Sequence, residues 1–109
     1  MTNPEFHSVL EKQFETCRLL LGTKEAEYDK DESDRLAFFK ETAAFTGDNA
    51  KTALVYMMLK HVKSIADMAK TDSKDYCKWI EKISDNINYL MLLRAIVEEE
   101  KINGTNLDK

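Results

Sequence analysis

The residues best suited to chemistry stand in one stretch, Glu81-Lys82-Ile83-Ser84-Asp85-Asn86-Ile87-Asn88-Tyr89. Read as helix, it places Glu81 and Asp85 one turn apart, where two carboxylates can clamp a common cation. Mg²⁺ takes hard oxygen ligands and commonly uses one or two carboxylates together with substrate phosphates. A second acidic pair from another helix would complete such a site. Glu27 and Asp67 are the first choices for it, with Glu25 and Asp34 behind them. Taken alone, the spacing fits a solvated face better, because charge opposite an apolar stripe is the rule on surface helices.

His61 falls in the middle of an apolar stripe. It is either a hydrogen-bonded core histidine or the floor of a pocket beside Lys60, touching a base or a phosphate. Lys24, Arg35, Lys40, Lys60 and Lys82 lie next to the acids, and a metal-assisted phosphate site needs both signs of charge in one place. Ordinary helix salt bridging explains the same residues at roughly a few tenths of a kcal/mol per pair. Trp79 and Tyr89 can stack on a base, although a lone tryptophan on an apolar stripe is more often core. Arg94 interrupts an apolar stripe, where snorkelling or a pair with a nearby acid is the simple reading. No Gly-rich phosphate loop and no Ser-His-Asp arrangement occurs, and neither cysteine has an adjacent histidine. His7 and His61 are the only imidazoles, which argues against zinc.

These residues need helices to position them. Phe6, Val9, Leu10, Phe14, Cys17, Leu20 and Leu21 recur at three- and four-residue steps, predicting a first helix from about Pro4 to Leu21 with Gly22 as its stop. Thr23 to Ser33 is polar and acid-rich, and reads as a short helical extension followed by a loop. A second helix spans about Asp34 to Phe45, capped by Ser33 and ended by Gly47. Leu36, Phe39 and Ala43 form one face of it, while Phe38 and Phe45 point the other way and call for cover on two sides. A third runs from a cap at Asp48 to about Ala69, with Leu54, Met57, Met58, His61, Ile65 and Met68 on one face and Lys60, Ser64 and Asp67 on a flanking stripe. Thr71, Asp72 or Ser73 can each cap a fourth helix, from about Lys74 to Glu100. Its apolar face is Trp79, Ile80, Ile83, Ile87, Leu90, Met91 and Val97, with Glu81, Asp85 and Asn88 nearly opposite. Leu92, Leu93 and Ile96 lie off that stripe, and a helix this broadly apolar has neighbours on more than one side, a second subunit among them. Residues 1–102 thus read as a single helical bundle domain, and 103–109 as a frayed polar tail.

Bulk properties agree. The chain has 109 residues, three glycines and one proline, enough for one core and short of the breakers that sheets and hairpins use. Hydrophobic residues at 43% against 33% charged make it globular rather than disordered. A net charge of −4, with acids and lysines interleaved, argues against a nucleic-acid-coating protein and against a DNA mimic. Cys17 and Cys77 read as buried thiols in a reducing cytosol, and no apolar run approaches the ~20 residues of a membrane span.

Taken in order, the blocks Lys24-x-x-Glu27-Tyr28, Asp34-Arg35-Leu36 with Phe39-Lys40, Lys60-His61-x-x-Ser64-Ile65-x-Asp67-Met68 and Trp79-x-Glu81-Lys82-Ile83-x-Asp85-x-Ile87-Asn88-Tyr89-Leu90 resemble a group of small phage and prophage proteins, over about Val9 to Glu99. More distantly they resemble phage domains associated with nucleotide modification, which carry Asp-x-x-Asn-Tyr late in the chain. That wider set is similar to the all-α nucleoside triphosphate pyrophosphohydrolases, the MazG and dUTPase-like enzymes. Those bundles hold Mg²⁺ with two acidic pairs and cleave between the α- and β-phosphates. This chain has Lys82 three residues before Asp85, where the MazG pattern has glutamate, and carries its glutamate at Glu81.

The resemblance implies a MazG-like four-helix bundle in the cytoplasm of a bacterial host, pairing with further copies of itself. It implies Mg²⁺ held by Glu27, Glu81, Asp85 and Asp67, phosphates faced by Lys24, Arg35, Lys60 and Lys82, and a base or sugar met by His61, Asn88 or Tyr89. The expected function is nucleotide handling, with a Mg²⁺-dependent pyrophosphohydrolase as its enzymatic form. The alternative is a catalytically idle binding module that holds a nucleotide or occupies a host or anti-phage defence protein. A structural role with no small ligand is a third reading.

Overall fold

Helix formers dominate the chain, and the computed structural model folds them into four α-helices with no strand among the described residues. It describes residues 1–28 and 34–104, and in the first helix the side chains as far as Gly22. Helix α1 is Asn3–Tyr28, α2 is Ala37–Thr46, α3 is Ala50–Lys70 and α4 is Tyr76–Ile102. The chain divides into two compact units, residues 1–35 and residues 36–109, and each is taken by itself.

In the first unit, α1 opens on a reciprocal cap. The Thr2 backbone N–H donates to Glu5 Oε2 at 2.9 Å, and the Glu5 N–H donates to Thr2 Oγ1 at 3.3 Å. The helix passes through Gly22 and continues to Tyr28, so Gly22 is not the expected stop. One glycine inside a helix costs about 1 kcal/mol, which the good helix formers Leu19-Leu20-Leu21 and Lys24-Glu25-Ala26-Glu27 on either side outweigh. Cys17 is buried, whereas Phe6, Val9 and Phe14 from the predicted stripe are about half exposed.

The second unit is built on an antiparallel α3–α4 pair with α2 against α3. Leu36, Phe39, Leu54 and Ile96 form its core, with Ala50, Met57, Tyr89, Leu92 and Leu93 packed around them. Lys40 Nζ in α2 reaches Glu99 Oε1 at 2.6 Å, and Lys51 Nζ in α3 meets Glu100 Oε2 at 2.5 Å, tying both helices to the C-terminal end of α4. The predicted α2 face, Leu36, Phe39 and Ala43, is buried, but Phe38 and Phe45 are 63% and 93% exposed, so the expected cover on that side is not made by this unit.

The caps differ from expectation. Asn49, not Asp48, caps α3, accepting from the Thr52 N–H at 2.8 Å. Asp48 is taken up in ending α2: Gly47 turns left-handed at φ +78°, and the Asp48 N–H bonds back to the Ala43 carbonyl at 2.9 Å. Asp75, not Thr71, Asp72 or Ser73, caps α4 through the Lys78 N–H at 3.1 Å. Those three residues close α3 instead. Asp72 takes φ +51°, its N–H donates to the Ala69 carbonyl, and the Ser73 N–H donates to the Met68 carbonyl, a Schellman turn with aspartate at the left-handed position. Trp79 Nε1 then donates to the Ser73 carbonyl at 2.8 Å and fastens the start of α4 to the turn. Ser33, the expected α2 cap, and residues 105–109 of the expected tail lie outside the described residues; α2 starts at Ala37 after Leu36 without a side-chain cap.

These contacts set the cost of losing each residue. Asn49→Ala and Asp75→Ala should each lower the urea-unfolding free energy by about 1 kcal/mol, while Asp48→Ala should be nearly neutral. Phe39→Ala should cost about 3–5 kcal/mol, and Phe45→Ala, which removes a ring already in solvent, under about 0.5 kcal/mol by the same measurement.

Candidate functional site

The largest departure from expectation is the orientation of α4. Its fully buried residues are Ser84, Asn88 and Ile96, at 0%, 2% and 2% exposure, whereas Leu90 and Met91 of the predicted core stripe are 51% and 46% exposed. The cause is visible in the core: α4 meets α2 and α3 through Tyr89, Leu92, Leu93 and Ile96. That arc lies beside Ser84, Asp85 and Asn88 at ~100° per residue, so these polar residues turn inward with it.

The consequence is a polar seam at mid-length between α3 and α4. His61 comes from α3, and its Nδ1 stands 3.7 Å from Asp85 Oδ2 with both side chains mostly buried. This exceeds hydrogen-bond length, so the contact is electrostatic and carries an ion pair only while the imidazole is protonated. The imidazole is tilted on the Tyr89 ring, with centroids 5.0 Å apart. Asn86 Nδ2 donates to the His61 carbonyl at 3.2 Å and to the Lys82 carbonyl at 2.8 Å, stitching the two backbones together. Lys82 is largely covered along its stem, with its ammonium 3.7 Å from Glu81 Oε1.

Among the described residues, Asn88 is the exception to the satisfaction rule. Both Oδ1 and Nδ2 are enclosed and neither has a hydrogen-bond partner. A buried carboxamide left this way forfeits about 1–3 kcal/mol per unsatisfied group, so native interiors rarely keep one.

Of the residues singled out from sequence, His61, Lys82, Asp85 and Tyr89 therefore lie along the α3–α4 seam, and Asn88 is buried one turn beyond Ser84 on α4. Glu81 sits at its edge, 63% exposed at the side chain. Lys60 and Asp67 are exposed on α3, where the Asp67 carbonyl is used by the Thr71 turn. Arg35 belongs to the first unit and donates from Nη2 to the Leu21 carbonyl at 2.9 Å. Lys24 and Glu27 are on the α1 backbone, but their side chains lie outside the described residues. Ser84 and Asn86 were not anticipated. Their signal was present: Ser84 and Asn88 are an i, i+4 polar pair on a helix apolar over most of its circumference. Arg94 pairs with Glu98 at 2.7 Å, as one reading of its position expected.

Among the described residues, no three His, Cys, Asp or Glu side chains come together as a group able to hold a metal ion. Both cysteines are free; Cys17 is buried as expected, but Cys77 is exposed. Along the seam lie an imidazole, a carboxylate, a phenol and an ammonium, while the Asn88 carboxamide is enclosed in the interior. No helix among the described residues is long and apolar enough to cross a membrane. Comparison of the chain with models of protein families, with characterised proteins and with solved structures finds no match.

Proposed function

We propose that this is a phage-type nucleotide-handling protein whose α3–α4 seam binds the nucleotide, and that binding rather than hydrolysis is its main act. One observation carries the reading: the enclosed Asn88 carboxamide without a partner. A donor and an acceptor side by side match the edge of a nucleobase, and the His61 and Tyr89 rings, 5.0 Å apart between α3 and α4, provide flat faces for stacking. Lys82, and Lys60 on the exposed side of α3, supply positive charge for phosphate. The all-helical fold is consistent with a bundle, and the MazG-like form of that bundle belongs to the same proposal.

The pyrophosphohydrolase form of the reading asks Glu27, Glu81, Asp85 and Asp67 to share Mg²⁺. The described carboxylates do not fit that role by themselves. Glu81 faces Lys82, a cation that competes with a metal for it, and Asp85 faces the His61 imidazole rather than a second carboxylate. No chemical step is therefore assigned to a metal. A second reading, an idle module that occupies a host or anti-phage defence protein, is favoured by Phe38 and Phe45. They are exposed aromatics at i, i+7 on one side of α2, the kind of side chain that anchors protein interfaces.

The test is thermal unfolding of the purified chain against a panel of nucleoside mono-, di- and triphosphates, with and without Mg²⁺, alongside a pyrophosphate-release assay. A ligand at a hundredfold excess over its Kd adds about 2.7 kcal/mol, a rise in Tm on the order of 10 °C. Asn88→Leu should raise the ligand-free stability by about 1 kcal/mol and remove that ligand-induced rise. If no nucleotide moves the Tm of the unmodified chain, or if Asn88→Leu responds as the unmodified chain does, the reading is wrong. Pyrophosphate release that stops in Asp85→Ala would replace binding with hydrolysis.

A further inference from the structure

We infer that the outward face of α3 is a docking surface for an acidic amphipathic helix of another protein. Val55, Leu59, Val62, Ala66 and Ala69 recur in alternating steps of four and three, the spacing that one helix presents to another in a coiled-coil seam. At ~100° per residue, the stripe lies outside the arc of Ala53, Leu54 and Met68, which is buried. Val55, Leu59 and Val62 are 41%, 53% and 44% exposed, so their apolar area is in solvent rather than in the core. Ala66 and Ala69 are exposed with them.

The edge of the stripe selects the occupant. Tyr56, Lys60, Lys63 and Lys70 run along one side of it, all exposed. Lys40 and Lys51 are neutralised by Glu99 and Glu100. Among the described residues, Lys60, Lys63 and Lys70 have no ion-pair partner, and the Asp67 carboxylate on the same edge pairs with none of them. Uncompensated positive charge beside an exposed apolar stripe is complemented by carboxylates beside an apolar stripe. A second copy of this chain does not supply them. Antiparallel α3 helices set Lys63 and Lys70 against the same lysines, and parallel ones set them against Met58 and Ile65 of the opposite edge. An anionic bilayer fits less well, because a helix lying in a membrane surface buries a broad face of bulky side chains. Here the apolar arc is only ~80° wide and ends in two alanines, which let another helix approach closely. The face is separate from the α3–α4 seam, and the inference is independent of any nucleotide.

The test uses a fluorescein-labelled helical peptide of three heptads, with leucine at its a and d positions and glutamate at e and g, titrated with the full chain and followed by anisotropy. A second peptide carries lysine in place of every glutamate. The glutamate peptide should bind at least about tenfold more tightly than the lysine peptide. Lys63→Glu combined with Lys70→Glu should reverse that preference, an outcome that loss of folding cannot produce. Leu59→Asp should abolish binding of the glutamate peptide while leaving the helicity of the chain unchanged by circular dichroism. Raising the salt from about 0.1 to about 1 M should weaken that binding severalfold, because the screening length falls from about 10 to about 3 Å. No binding of either peptide, equal binding of the two, or an unchanged preference in the double variant overturns the inference. So does co-sedimentation of the chain with phosphatidylglycerol vesicles in place of peptide binding.

Discussion

The arc of α4 that meets α3 is the constraint on which the rest of the second unit depends. α4 is apolar over most of its circumference, so no single stripe is compelled inward by hydrophobicity alone. The choice falls to Leu92, Leu93 and Ile96, which pack with Leu54 and Met57 of α3 and with Leu36 and Phe39. Once that C-terminal arc is seated, helical geometry leaves no freedom upstream. Ser84 and Asn88 enter the interior, Asp85 and Tyr89 come beside His61, and Leu90 and Met91 are left exposed. A polar seam and the exposure of Leu90 and Met91 are two results of one rotation.

That rotation is also where the sequence was least legible. All-α character, the number of helices, the α2 face of Leu36, Phe39 and Ala43, the inward face of α3 around Leu54 and Met68, and the stop at Gly47 follow from periodicity and from glycine at a left-handed turn. The same periodicity missed the fully buried residues of α4, Ser84, Asn88 and Ile96, and placed Leu90 and Met91 inside where they are exposed. Counting large apolar residues favours Ile80, Ile83, Ile87 and Leu90, whereas packing favours the arc whose shape fits α2 and α3, and only the folded partner holds that information. The caps failed by one to four positions for a related reason. In Gly47-Asp48-Asn49 and Thr71-Asp72-Ser73-Lys74-Asp75 several side chains are competent caps, and ending one helix consumes some of them before the next begins. For the site, the residue types were readable and the grouping was not: His61, Lys82, Asp85 and Tyr89 lie along the seam and Asn88 is buried, while Lys60 and Asp67 remain on the exposed side of α3.

The seam divides α4 energetically as well as spatially. Toward its C-terminus, Ile96 is buried and Lys40 and Lys51 hold Glu99 and Glu100, so apolar packing and charge act together there. Toward its N-terminus, Trp79 is bonded to the Ser73 carbonyl in the α3–α4 turn. Between these anchors lie Ser84 and Asn88, which bring little apolar area, and an Asn88 carboxamide whose burial costs free energy with no hydrogen bond in return. The middle of the α3–α4 contact therefore rests on the Asn86 bonds to the His61 and Lys82 carbonyls and on the His61–Tyr89 ring contact more than on apolar burial around Asn88. Asn88 is enclosed, so water reaches it only when the two helices part there. Its unsatisfied amide lowers the cost of that parting, since separating the helices there lets water satisfy Asn88 while both ends stay clamped.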